Sequence, residues 1–286
     1  MSQYIKWFNE LGMEDVDLVG GKNASLGEMY QNLTEQDIRI PNGFAITADA
    51  YRMILDRNDA WAKLHAQLDE LNPDDVVQLQ ERGKRCRDII DKCILPDDMV
   101  EQIGNAYEAL KEEYGEDVSL AVRSSATAED SPEASFAGQN ESYLNIQGLD
   151  ALLDAYMSCL ASNFTDRSIH YKFVHGFDSF KVYLSVVVMK MVRSDIGESG
   201  VMFSIDSETG FKDVVFINAA YGLGENIVQG SIAPDSFYVH KPTFKKGHRA
   251  VLKRRLGDKA LKMVFADEIN TDNIAVEYTK NIDTPK

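Results

Sequence analysis

Two cations in this chain stand where an anion could be held. Arg123 closes the short apolar run Leu120-Ala121-Val122, and Lys22 follows a glycine pair in Gly20-Gly21-Lys22-Asn23-Ala24-Ser25. Beyond Arg123 the chain runs through small and polar residues, with Pro132 in the middle and Gly138 near the close. It then returns to an alternating segment, Ser142-Tyr143-Leu144-Asn145. A loop this poor in apolar residues adds little to a core, and long loops of that kind inside a compact domain are functional or disordered. Its Ser, Ala and Gly residues let backbone N–H groups approach an anion closely, and a guanidinium fork suits phosphate oxygens. The same stretch also reads as a surface hairpin with an acidic tip, because Glu129, Asp130 and Glu133 lie in it. Lys22 falls where a glycine turn enters a helix, and orphan N–H groups with the macrodipole favour an anion there. The spacing is not that of a Walker A loop. A plain helix cap with a solvated lysine is the alternative.

These residues need elements to hold them. Ile5 to Phe8 opens apolar, and Leu26, Met29, Tyr30 and Leu33 follow the glycine pair at helical spacing. Ile38 to Thr47 reads as a turn and a strand broken by Pro41-Asn42-Gly43. From Ala48 to about Tyr114 the pattern is helical and charged, with breaks at Pro73 and Pro96, and serves packing. Leu152, Leu153, Tyr156, Met157 and Leu160 mark a further helix, expected to run on to about His170. Val182 to Val192 is a near-continuous apolar run, as for a strand buried on both faces. Gly200–Asp206 and Val214–Asn218 read as strands joined by the turn Ser207-Glu208-Thr209-Gly210, and Phe237–His240 as another. Tyr221-Gly222-Leu223-Gly224-Glu225-Asn226 sets two glycines and a carboxylate at a strand's end. The tail from Asn270 is polar, with no evident closing element.

At 286 residues and 44% hydrophobic, the chain can bury a large core and is expected to form two lobes. A net charge of −16 argues against nonspecific binding to nucleic acid or an anionic membrane, while leaving room for a nucleotide held by local cations. No apolar run reaches the length of a membrane span, and the N-terminus lacks a signal peptide's apolar region. Cys86, Cys93 and Cys159 have no metal-like or redox-like spacing and read as reduced thiols of a cytoplasmic protein.

Four separated segments together resemble the nucleotide-binding region of the phosphoenolpyruvate synthase / pyruvate phosphate dikinase family. They are V-G-G-K-N-A-S-L-G-E-M (19–29), A-V-R-S-S-A-T-A-E-D-S-P-E-A-S-F-A-G-Q (121–139), M-V-R-S-D (191–195) and Y-G-L-G-E-N-I-V-Q-G (221–230). The resemblance covers essentially the whole chain. It implies an α+β fold of ATP-grasp type, two lobes with a nucleotide cleft between them. Residues 1–180 would form the N-terminal lobe with the phosphate-binding loops and a helical insert, and 181–286 a partial second lobe. By position it assigns Lys22 and Arg123 to the ATP phosphates as the catalytic cations, with Ser124 beside them. Ser135, Phe136, Ala137, Gly138 and Gln139 would be the flexible lid over the phosphates. Met189, Lys190, Met191 and Val192 would offer a backbone edge to adenine, and Glu225 a ribose or nucleotide-side contact; a plain carboxylate at a helix N-terminus is the alternative for Glu225. Met189 stands where relatives usually carry glutamine, and Tyr221 where tryptophan is common.

Family members continue past this length. The expectation is therefore that the Mg²⁺ ligands, a catalytic Gln/Arg pair, the swivelling phosphohistidine domain and the pyruvate-binding barrel lie outside this sequence, and that no metal ligand lies within it. None of His65, His170, His175, His240 and His248 sits in the Thr/Ser-rich setting of the phospho-accepting histidine. The implied reaction turns ATP, pyruvate and water into AMP, phosphoenolpyruvate and phosphate through a pyrophosphohistidine, in a homodimeric enzyme. Two alternatives share the same ATP module: an antibiotic-phosphorylating relative, and a nucleotide-binding module without catalysis.

Overall fold

The computed structural model describes residues 3–127, 141–270 and 277–284, the side chains of 267–270 and 277–278 excepted. The chain divides into two compact units, Met1–Met191 and Val192–Lys286. Helix and strand are mixed throughout, as the α+β expectation requires.

The first unit is built on five strands: β1 (Ile5–Trp7), β2 (Gly43–Ile46), β3 (Leu120–Ala126), β4 (Ser142–Ile146) and β5 (Leu184–Lys190). Their order across the sheet is β1-β2-β5-β3-β4, with every neighbouring pair antiparallel. The sequence reading opened a second lobe at 181; the break instead falls after Met191. The reason is physical. The apolar run of β5 fills the middle of this sheet, hydrogen-bonded to β2 on one side and β3 on the other, and Val186, Val187 and Val188 are buried on both faces.

Helix α1 (Val16–Leu33) covers part of that sheet. Phe8, Leu11, Val19 and Ala24 close over Ala45 and Val187 to form a core cluster. Full burial of side chains such as Phe8 and Leu11 contributes about 1.5–3 kcal/mol each. The charged segment folds as expected into α2 (Ala48–Arg57), α3 (Ala60–Leu68), α4 (Val76–Asp91) and α5 (Asp97–Tyr114). Local chemistry sets their ends. Asp75 accepts from the Gln78 amide to cap α4, and Gly115, at φ 99°, ends α5.

The helix expected to reach His170 is two helices, α6 (Leu149–Ser162) and α7 (Asp166–Val174). Thr165 caps the second by accepting from the Ser168 amide. The break between them is organised by Lys172, which is fully buried. Its Nζ donates to the Asn163 carbonyl at 2.6 Å and to Asn163 Oδ1 at 2.7 Å. Burial pulls the Lys172 ammonium down to about 7, with Cys86 nearby opposing the fall. Between pH 7 and 10.5 the unfolded chain therefore holds a proton that the folded chain does not, and stability rises with pH across that window. Urea unfolding at pH 7 and pH 9.5 is expected to differ by a few kcal/mol from this group, on the order set by the shift. Lys172→Met should remove that pH dependence; an unchanged slope in the variant would refute the assignment.

The second unit carries β6 (Glu198–Phe203), β7 (Val214–Tyr221), α8 (Glu225–Val228), β8 (Asp235–His240), α9 (Lys241–Lys245), β9 (Val251–Arg255), β10 (Leu261–Asn270) and β11 (Glu277–Asp283). Strands β6-β7-β8-β9 form an antiparallel sheet in sequence order. The polar tail does have a partner: β10 and β11 pair as an antiparallel two-stranded sheet. Among the described residues, no helix is long and apolar enough to cross a membrane. The three cysteines are free thiols.

Candidate functional site

The site in the first unit is made where a broken helix meets a strand. Inside α1, Gly20 leaves the helical region at φ 75° and ψ 163°, so the helix restarts at Gly21. Lys22 is then the second residue of a new helix N-terminus, as the glycine turn predicted. The break lies directly on β3. A Cβ on Gly20 would come within 2.7 Å of the Ser125 carbonyl oxygen and 2.9 Å of that of Ala126.

This contact aims Lys22 at the strand. Its Nζ donates to the Ser124 carbonyl at 3.0 Å. One residue back, Arg123 pairs in register with Ser142 of β4 and Val187 of β5. Its side chain is exposed between buried neighbours, and Nε donates to Ser142 Oγ at 3.0 Å. Both cations also act electrostatically on the same buried thiol. Burial pushes Cys159 up and Glu141 adds to the rise, while Lys22 and Arg123 oppose it. Lys22 and Arg123, far apart in sequence, thus share one neighbourhood. Two cations beside a fresh helix N-terminus can neutralise and orient a polyanion.

Ser124 takes part through its carbonyl; its hydroxyl is buried and has no partner among the described residues. Ser135, Phe136, Ala137, Gly138 and Gln139 lie outside the described residues, as do Glu129, Asp130 and Glu133. Met189 and Lys190 end β5, where the register pairs them with Ala121 and Leu120. Two backbone donors of that segment are already spent. The Lys190 N–H donates to the Asn42 carbonyl at 3.1 Å and the Met191 N–H to that of Ser119 at 2.8 Å. Val192 begins the second unit.

Glu225, also in the second unit, opens the short α8 and accepts from Gln229 Nε2 at 3.0 Å. The turn before it needs Gly222, at φ 80°, and the Leu223 N–H donates to the Met263 carbonyl at 2.9 Å. Arg193 and Asp195, singled out in M-V-R-S-D, hold each other through two 2.8 Å hydrogen bonds, with the guanidinium over Phe265. That pairing keeps the Asp195 carboxyl below the usual carboxylate range. Among the described residues no group of three or more His, Cys, Asp or Glu is placed to hold a metal ion. Sequence reasoning missed Asn23, Ser142 and Ser185. Their signal is pairing between separate elements, which spacing along one element does not carry.

Comparison with known proteins gives the class of this domain. The family model described as "Pyruvate phosphate dikinase, AMP/ATP-binding domain" matches residues 16–284, and the chain belongs to that family. It is 51% identical to the phosphoenolpyruvate synthase of Synechocystis over 284 residues, which is 98% of this chain and 34% of that protein. Identity to the phosphoenolpyruvate synthase of Helicobacter pylori is 50% over 285 residues, covering 99% and 34%. For the Escherichia coli enzyme it is 51% over 266 residues, covering 93% and 33%. The chain spans about a third of the length of these curated relatives.

Proposed function

We propose that this chain binds ATP for a phosphoenolpyruvate synthase (pyruvate, water dikinase) reaction. The observation that carries the proposal is the Gly20 break, which sets Lys22 on the Ser124 carbonyl beside Arg123. In this reading the fold is of ATP-grasp type, and the phosphates of ATP lie at Lys22, Arg123 and the helix N-terminus. The resemblance further implies a lid from residues 135–139 and a nucleotide-side contact from Glu225, and adenine would rest against Met189–Val192. With the Lys190 and Met191 amides engaged, carbonyls of that segment would accept from the adenine amine.

The chemistry is phosphoryl transfer. An imidazole nitrogen of an acceptor histidine, on a domain beyond this sequence, attacks the β-phosphorus. The bond from that phosphorus to the α,β-bridging oxygen breaks, and AMP leaves. Water then takes the γ-phosphoryl group as phosphate, and the remaining phosphoryl group passes to the enol oxygen of pyruvate. Such transfers ask a protein for positioning and charge neutralisation. Lys22 and Arg123 supply both. ATP would enter as its magnesium complex; among the described residues no group of three or more His, Cys, Asp or Glu is placed to hold the ion. We place the protein in the cytoplasm with its cysteines reduced, working in a homodimer with a phosphohistidine domain and a pyruvate-binding barrel.

Calorimetric titration of the 286-residue chain with Mg·ATP tests the reading. Lys22→Ala is expected to weaken binding about tenfold, the loss of one charge-assisted contact. Equal affinities for the two proteins would remove Lys22 from the phosphate site.

A further inference from the structure

We infer that Asn23 is a positioning residue that holds Lys22 against β3 by locking the Gly20 break onto β5. The inference rests on the reading of Lys22 as a phosphate ligand, but its geometry can be tested separately.

Asn23 is fully buried, which is unusual for a primary amide unless it is hydrogen-bonded. Its Nδ2 donates to the Val19 carbonyl at 2.9 Å and to Ser185 Oγ at 2.7 Å. Each bond answers a need created by the break. In a continuous helix the Val19 carbonyl would accept from the Asn23 backbone N–H, through a ring that includes Gly20. Gly20 is not helical, so that ring cannot close regularly, and the side chain of the same residue donates to the carbonyl. The amide's orientation follows, because a carbonyl can only accept. The second bond crosses to the sheet. Ser185 lies in β5, in register with Ser125 of β3, the residue on which Gly20 rests.

One side chain therefore ties together the residue before the break, the helix after it and the sheet beneath it. Without that tie, two consecutive glycines join Val19 to Lys22, and glycine is the residue least able to hold a direction by itself. The tie also has a cost. Asn23 Oδ1 is buried with no partner among the described residues, as is Ser125 Oγ. An apolar side chain of similar size would fill the space without an orphaned acceptor. Asn23 is thus a poor choice for packing alone and a good one for fixing the direction of its neighbour.

The test is a double-mutant cycle in the 286-residue chain, read by Mg·ATP titration and by labelling of Lys22 with an amine-reactive reagent followed by peptide mass spectrometry. Asn23→Ala is expected to weaken Mg·ATP binding about tenfold, while the Lys22→Ala, Asn23→Ala double variant binds no more weakly than Lys22→Ala alone. Wild-type affinity in Asn23→Ala, or losses that multiply in the double variant, would overturn the inference. Labelling covers the case in which Lys22→Ala itself leaves affinity unchanged, which is a failure of the phosphate reading. Lys22 should then still be modified several-fold faster in Asn23→Ala than in the wild type, and equal rates would refute the positioning role. If Asn23→Ala does not fold, Ser185→Ala removes one of the two bonds. It is expected to weaken binding about threefold and to speed labelling, and no change in either overturns the proposal.

Discussion

Arg123→Ala, made in a protein that carries the acceptor histidine, is expected to slow formation of AMP about a hundred- to a thousandfold, the loss typical when one preorganised charge donor is removed from a developing anion. The structure argues that this loss would be chemical rather than structural. Arg123 is the exposed residue of an otherwise buried strand. Its hydrogen bond to Ser142 Oγ uses Nε, and its Nη groups have no partner among the described residues. Substitutions of exposed side chains usually change stability by no more than about 0.5 kcal/mol. Melting of the variant should therefore match the wild type while quenched-flow product analysis shows the deficit. AMP formation within twofold of wild type would sink the assignment of Arg123 to the phosphates.

The other large effect is expected at Gly20. An alanine there would have to adopt φ 75° and ψ 163°, a region essentially reserved for glycine and costing about 1–3 kcal/mol. Its Cβ would also press on the backbone oxygens of Ser125 and Ala126, which sit in a sheet and cannot swing aside. Overpacking of that kind adds about 1–3 kcal/mol. Together these give roughly 2–6 kcal/mol, a large part of the stability of an ordinary domain. Gly104→Ala is the control. It lies in α5, where a Cβ meets nothing closer than 3.4 Å, and should be neutral or stabilising by up to about 1 kcal/mol. Urea midpoints decide the matter: a Gly20→Ala midpoint equal to that of Gly104→Ala would show that the break is not required.

Much of this was legible in the sequence, and the limits have physical causes. The apolar run ending in Arg123, the glycine pair before Lys22 and the charged helices are local patterns, and each folds as its pattern predicts. Periodicity reports burial without naming the partner. Val182–Val192 was therefore rightly read as a buried strand but given to the wrong unit, because nothing in the run says that its neighbours are β2 and β3. The break at Asn163 was hidden because the apolar stripe of α6 gives way to residues that look helical; a buried lysine on the next helix turns the chain there. Strands β9 and β11 were missed for the opposite reason. β9 is exposed along its whole length, and the tail is too polar to show an apolar alternation. For the candidate site, residue types pointed to both cations. Only pairing in three dimensions brings in Asn23, Ser142 and Ser185.

The order of strands in the first sheet bears on how the chain is made. β2 emerges early in synthesis and β3 and β4 much later, yet the two pairs share no ladder until β5 arrives between them. At the usual rates of translation, roughly ten to thirty seconds separate β2 from its partner. During that interval the growing chain carries two hairpin-like fragments, each with an open edge, and an open edge invites pairing with a neighbouring chain. The helices α2 to α5, made in the interval, can form from local contacts while they wait. A ribosome stalled before Lys190 would hold a chain in which Lys22 and Arg123 belong to two unconnected pieces; release of the last strand brings the two cations together.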